Sequence, residues 1–201
     1  MTLEINPLLV KQLREKTGAG MMNCKKALQE TKGNFEQASK LLRQKGLSIA
    51  DKKSSRKTAE GLVTSYIHTG GKIGVLVEVN CETDFVARRI EFQELTKNIA
   101  MQIAACPQVR YISPDFIPEE VFQSEKEIES NKLDLINKPS EIKEKIILGR
   151  VQKTLSDLTL LNQPFVKDPN ITIKELIKEK ISLLGENIKI QRFVCYKIGQ
   201  E

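Results

Sequence analysis

The sequence has no tryptophan, a single histidine, and four cysteines that never fall in a CxxC pair. Cys24, Cys81, Cys106 and Cys195 lie far apart, which argues against a zinc module or a disulfide scaffold and leaves reduced thiols as the expectation. With His68 as the only imidazole, neither the common zinc enzymes nor Ser-His-Asp chemistry fits the chain. Aromatic residues make up 5% and leave little for base stacking. No apolar run approaches the ~18 residues that span a bilayer, so no membrane segment is expected. The first residues, MTLEINPLLVKQLREKTG, carry no apolar signal core and no small-residue cleavage site. Neither GxxxxGK[ST] nor GxGxxG occurs, so no nucleotide cradle is encoded. Gly18-Ala19-Gly20 and Gly70-Gly71 read instead as a helix stop and a hairpin turn.

What is present is an ordinary globular balance of 40% apolar and 29% charged residues over 201 positions. The net charge of +6 is unevenly placed. Residues 1–57 carry 13 basic against 5 acidic side chains; the remainder carries 19 against 21. A basic front suggests an acidic partner, either nucleic acid or an acidic protein face. Lysine outnumbers arginine 24 to 8, which weakens the nucleic-acid reading, because arginine is the better reader of bases and phosphates.

The apolar periodicity predicts three short helices over residues 6–46. Asn6 caps the first, with Pro7 at its first position and Leu8, Leu9 and Leu13 as its stripe. Met21 to Thr31 forms the second, with Met21, Cys24, Ala27 and Leu28 on one side and Gly33 as its stop. Asn34 and Gln37 form a capping box for the third, which Gly46 ends. Residues 48–58 lose apolar periodicity and read as a basic linker or an exposed helical extension. A β-hairpin follows, Gly61–His68 and Ile73–Cys81, joined through Gly70-Gly71. A third strand spans Asn187–Ile198, with Ile188, Ile190, Val194 and Ile198 on one face. Four helices fill the space between: one capped by Thr83 or Asp84 and running to about Ala105, one from Pro118 through Leu135 and Ile136, one from Pro139 through Leu161, and one capped by Thr172. Pro164 and Pro169 bracket a loop. The fold class is α+β: a three-helix module, residues 1–47, a basic linker, 48–58, and a three-stranded antiparallel sheet with flanking helices, 59–201.

Most residues that could carry chemistry have a structural account. His68 flanks a turn, with no nucleophile elbow nearby. Cys24, beside Lys25 and Lys26, is either a low-pKa thiolate or a small buried hydrophobe. Glu119-Glu120 reads as a solvated helix face. The run Cys81-Glu82-Thr83-Asp84-Phe85-Val86-Ala87-Arg88 resists such a reading. It joins a strand to a helix N-terminus, and a phenylalanine directly after the cap lies in the first turn, where it need not face the core. Core packing of Phe85 and an outward prong of Asp84 and Phe85 are both open on the residues alone.

Three stretches resemble the bacterial and organellar translation elongation factor Ts family: Leu13-Arg14-Glu15-Lys16-Thr17-Gly18-Ala19-Gly20-Met21-Met22-Asn23-Cys24-Lys25-Lys26-Ala27-Leu28; Asn80-Cys81-Glu82-Thr83-Asp84-Phe85-Val86-Ala87; and Gly185-Glu186-Asn187-Ile188 with Arg192-Phe193. Asn23 stands where the family usually has an acid, and Arg88-Arg89 where a Lys-Asn or Arg-Asn pair is common. The resemblance implies a UBA-like N-terminal module and a guanine-nucleotide exchange factor without covalent chemistry or cofactor. Such a factor would bind elongation factor Tu in its GDP and nucleotide-free forms and loosen Mg²⁺ and GDP so that GTP can enter. It implies that Thr83, Asp84, Phe85 and Val86 act near the partner's Mg²⁺ and phosphate elements, and that Arg14, Met21 and Met22 bind the partner's nucleotide-binding domain. The chain resembles the short form of the family, whose members pair to replace a missing subdomain, so a homodimer is expected. Direct nucleic-acid binding is not expected. The setting implied is a bacterial-type cytoplasm or a plastid stroma, and richness in Lys and Ile points to an AT-rich genome. Two rival classes, a nucleic-acid-binding module and an acyl- or thiol-transfer enzyme using Cys24 or Cys81, leave the Thr-Asp-Phe-Val run unexplained.

Overall fold

Asn6 sets the first boundary of the computed structural model, which describes residues 5–132, 134 and 139–199. Its side-chain oxygen accepts the Leu8 amide at 2.9 Å, and Pro7 opens α1, Pro7–Thr17. Gly18 ends α1 in the left-handed region (φ 65°), its amide donating to the Arg14 carbonyl. The next two helices are α2, Met21–Glu30, and α3, Phe35–Lys53. The Asn34 side chain caps α3 by accepting from the Gln37 amide at 3.0 Å. Val10, Leu13, Cys24, Ala27, Leu28, Ala38 and Leu42 bury one shared apolar cluster. Cys24 is thus a buried hydrophobe. Met21, placed on the inner stripe by its spacing, is exposed.

Gly46 does not end α3. It lies buried in the middle of the helix, which runs on through Ala50 to Lys53. Residues 48–53, expected as linker or helical extension, are helix. A glycine inside a helix costs roughly 1 kcal/mol against alanine. It is tolerated here because another segment approaches it closely: a Cβ at Gly46 would lie 3.0 Å from Ser182 Oγ.

The body holds the hairpin β1, Glu60–Ile67, and β2, Ile73–Cys81, followed by α4, Asp84–Ala87, and α5, Ile90–Ala105. A short 3₁₀ turn, Pro114–Phe116, precedes α6, Glu119–Ser130, and α7, Ser140–Asp157. Then come β3, Pro164–Phe165, β4, Asp168–Thr172, α8, Ile173–Leu184, and β5, Lys189–Lys197. The main sheet is antiparallel in the order β1-β2-β5. Val75, Val77, Val79 and Cys81 alternate with less buried neighbours along β2, the expected period of two. Gly61 sits at φ 151°, and a Cβ there would run into the Val79 carbonyl and lie 2.7 Å from Asn80 Cα, so only glycine fits against β2.

Three expectations need correction. The single helix from Thr83 to Ala105 is two, because the chain turns at Arg88-Arg89 before α5 starts. The segment bracketed by Pro164 and Pro169 is a small hairpin, with Pro164 opposite Thr172 and Phe165 opposite Asp168. Pro169 lies within β4 itself, at the edge of a two-stranded sheet where its missing amide is tolerated. The alternation along β5 slips: Ile188 and Ile190 are buried, Gln191 and Arg192 are both exposed, and Phe193 rather than Val194 is then the more covered residue. The expected stretch through Leu135 and Ile136 lies outside the described residues.

The chain divides into two compact units. One comprises the chain up to Thr64 with Val77–Asn98 and Glu175–Gln191; the other comprises Ser65–Leu76, Ile99–Lys174 and the chain from Arg192. Within the first, α3 and α8 are joined by several contacts. Arg43 pairs with Glu175 and Glu179 at 3.4 and 3.6 Å, and Lys178 with Asp51 at 2.6 Å. Lys53 donates to the Gly185 carbonyl at 2.7 Å. Within the second, α6 and α7 pack through Ile147, Val151 and Leu155 against Val121 and Phe122. Gln102 is buried and ties α5 to the small hairpin, donating to the Pro164 carbonyl and accepting the Val166 amide.

Candidate functional site

The segment from Cys81 to Arg88 leaves β2 and makes one helical turn. Thr83 is the cap: its backbone is extended (φ −132°, ψ 156°) and its hydroxyl accepts the Val86 amide at 3.4 Å. Asp84 therefore does not cap; it occupies the first helical position and pairs with Arg88 four residues on, at 2.7 Å. Val86 and Ala87 turn inward and are buried. Phe85 points the other way and is 77% exposed. The two readings left open by the sequence are decided in favour of an outward ring. Val86, named with the prong, is the anchor beneath it.

The turn is held from the far end of the chain. Glu186, just after α8, accepts the Thr83 hydroxyl at 2.6 Å and the amides of Thr83 and Glu82 at 3.0 and 3.1 Å. Glu82 answers by accepting the Asn187 amide at 2.7 Å, and its second oxygen lies 3.5 Å from the Arg56 guanidinium. Asn187 is buried and donates through its side chain to the carbonyls of Ser54 and Arg56, at 3.2 and 2.8 Å. More than one hundred residues separate Glu186 and Asn187 from Ser54, Arg56, Glu82 and Thr83, so local pattern could not find Glu82, Glu186 and Asn187 as a set. Their signal was the likeness of two separate stretches, Asn80–Ala87, which holds Glu82, and Gly185–Ile188, to a family's motifs.

Cys81 is fully buried below the turn, its thiol donating to the Thr83 carbonyl at 3.1 Å. Burial, with the Glu186 charge nearby, pushes the thiol from 9.0 up to about 11. A thiol so held stays protonated at neutral pH and is a poor nucleophile. His68 is exposed, its Nδ1 3.2 Å from the Tyr66 hydroxyl. Among the described residues no group of three His, Cys, Asp or Glu side chains could hold a metal, and no helix is long and apolar enough to cross a membrane.

Arg14, Met21 and Met22 are exposed on the helical module, Met22 at 63%. Gly18, between the first two helices, approaches α8: a Cβ there would meet Leu183 Cδ1 at 2.8 Å.

A three-helix module ahead of an α+β sheet body defines the class as α+β, with an exposed phenylalanine on a braced turn at the end of β2. Comparison with known proteins makes the family particular. The family model described as Elongation factor TS matches residues 10–200. The chain is 62% identical over 200 residues to "Elongation factor Ts, chloroplastic" of Guillardia theta, covering all of this chain and 91% of that one. It is 61% identical over 197 residues to "Elongation factor Ts" of Rippkaea orientalis, covering 98% of this chain and 79% of that one. It is 59% identical to "Elongation factor Ts" of Synechococcus elongatus, covering 98% and 89%. The chain belongs to the elongation factor Ts family.

Proposed function

We propose that this chain is a guanine-nucleotide exchange factor that binds elongation factor Tu in its GDP form, promotes release of Mg²⁺ and GDP, and lets GTP rebind. Its work is done by binding, without covalent chemistry. A factor of this kind binds the nucleotide-free partner more tightly than the loaded one, and by reciprocity weakens the nucleotide by the same ratio. Thr83, Asp84, Phe85 and Val86 form the element that disturbs the Mg²⁺ and phosphate region of the partner: Phe85 as an apolar wedge, Asp84 as a competing carboxylate, Thr83 and Val86 as its base. Arg14, Met21 and Met22 are the contacts of the N-terminal module, residues 1–47; residues 48–58 follow as a basic connector whose first part, to Lys53, completes α3, and 59–201 is the core and dimerisation region. Flexible methionines suit a contact that persists while the partner changes shape, and the surplus of lysine in residues 1–57 suits an acidic face. Given the chloroplastic and cyanobacterial relatives, the chain works in a plastid stroma or a bacterial cytoplasm. It works as a homodimer.

The observation that carries this reading is Phe85, 77% exposed on a turn held by Glu186. The test is Phe85→Ala, with thermal unfolding and stimulated release of fluorescent GDP from elongation factor Tu measured on the same preparation. Stability is expected to change by no more than about 0.5 kcal/mol, as for a surface site, while release slows by tenfold or more, about 1.4 kcal/mol of lost coupling. A large fall in melting temperature with near-normal release per folded molecule would refute the wedge.

A further inference from the structure

Glu186 and Asn187 are consecutive, yet they grip two different segments. Asn187 holds the chain just past α3, through the Ser54 and Arg56 carbonyls. Glu186 holds the turn that carries Phe85, through the Glu82 and Thr83 amides and the Thr83 hydroxyl. Glu82 closes the circuit, accepting from the Asn187 amide and lying beside Arg56.

The Thr83 hydroxyl has two jobs in this circuit. It donates its single proton to Glu186 Oε1, and a lone pair then accepts the Val86 amide. The carboxylate therefore fixes the direction of that lone pair, because a hydroxyl free to rotate has no preferred donor direction of its own. Glu186 Oε2 pins the two amides that precede the turn. Together these contacts set both the backbone and the cap of the four-residue helix that bears Asp84 and Phe85. Glu82, Thr83 and Glu186 are each only half-buried, so water can take over their hydrogen bonds at modest cost if the carboxylate is removed. Loss of Glu186 then costs direction rather than burial.

We propose that Glu186 is the positioning residue of the exchange prong: through Thr83 it fixes the direction in which Asp84 and Phe85 are presented to the partner. This rests on the exchange reading above. The residue touches neither nucleotide nor Mg²⁺; it acts through the turn.

The experiment uses full-length protein in four forms: unaltered, Phe85→Ala, Glu186→Ala, and both together. Glu186→Ala is expected to lower the maximal stimulated GDP release from elongation factor Tu by about tenfold, in the range a small misplacement costs. The half-saturating concentration should stay within roughly threefold, since uniform binding is untouched. In the Phe85→Ala background the second change should cost clearly less than it does alone, because only its effect through Asp84 is left and residues acting through one element are not additive. Glu186→Gln, which keeps one strong acceptor oxygen, should fall between Glu186→Ala and the unaltered protein. Amide hydrogen exchange supplies a readout independent of the partner: the Glu82, Thr83 and Val86 amides should exchange at least about tenfold faster in Glu186→Ala, with those of α2 unchanged. Release losses that multiply in the double variant, or unchanged exchange at those three amides, would overturn the proposal. If Phe85→Ala slows release and Glu186→Ala does not, the positioning role alone falls. If neither does, the exchange reading of the prong falls and this proposal with it.

Discussion

A phenylalanine left in water forgoes roughly 1.5–3 kcal/mol that burial would give. Phe85 does so on a turn whose next two residues, Val86 and Ala87, are buried, so the turn folds without its ring. An exposed ring on a pinned backbone suits the proposed wedge, because little ordering remains to be done on contact. Below it, Cys81 illustrates the opposite choice. Its thiol is held neutral, with a pKa of about 11 against 9.0 for an unfolded thiol. The unfolded chain loses this proton first, so the contribution is fully present below pH 9, declines as pH rises, and is gone above about 11. The melting temperature of the protein should therefore fall between pH 9 and 11, and fall less in Cys81→Ala. The same burial predicts an order of thiol labelling at pH 8. Cys195, exposed, should react with a maleimide while Cys24 and Cys81 stay protected until the chain unfolds. Rapid labelling of Cys81 in the native protein would contradict this account.

At the scale of elements, the partnership of α3 and α8 explains why a helix tolerates a glycine in its middle. Gly46 is buried, with Ser182 against the space a Cβ would fill. Gly46→Leu would force the two helices apart and should destabilise by about 1–3 kcal/mol, the usual cost of overpacking, read as a lower urea midpoint with an unchanged slope. A stabilised Gly46→Leu, as helix propensity alone would give, would show that the two helices are not tightly packed. From the sequence, Gly46 looks like a stop because glycine usually is one, and the packing that overrides this lies more than 130 residues away. A body cut free of residues 1–53 is therefore not a neutral truncation: it leaves this side of α8 uncovered. The hairpin and its alternation were legible because a period of two and a Gly-Gly turn are local signals. Asn6 and Asn34 were legible as caps for the same reason, and Thr83 only as one of two candidates with Asp84. The direction of Phe85 was not, since a residue one step past a cap can face either way. Nor was the brace of Glu82, Glu186 and Asn187, which exists only once the far end of the chain has folded back. Pro169 misled because proline usually marks a loop, whereas an edge strand of two can hold it.

At the scale of the molecule, the tip of the main sheet shows a second uncovered surface. Within the unit that holds the hairpin tip and the end of β5, Val75 is buried while Leu76 is exposed, and Phe193 is more covered than Val194 or Tyr196, so Val75 and Phe193 mark the covered face. Residues of opposite parity then lie on the other face, and Gly74 confirms it, since a Cβ there would lie 3.1 Å from Ile67 Cδ1. On that face Ile67 and Tyr196 are 65% and 68% exposed, with Leu76 and Val194 also open to water, and Ile198, just past the end of β5, is 73% exposed. Apolar residues gathered on one sheet face are the signature of an interaction surface. A second copy applied across a two-fold axis would cover each face with its equal. This is the physical content of the proposed homodimer. It predicts a dimer mass by sedimentation equilibrium at micromolar concentration, and a monomer for Tyr196→Lys, which places a charge where an aromatic would be desolvated. Because Tyr196 and Phe85 belong to different compact units, the two variants should separate cleanly: Phe85→Ala should remain dimeric while losing stimulated release. Tyr196→Lys should lose the dimer and keep the hydrogen-exchange protection of the Thr83 turn. A monomeric unaltered protein, or a dimer indifferent to Tyr196→Lys, would remove the sheet face from the interface.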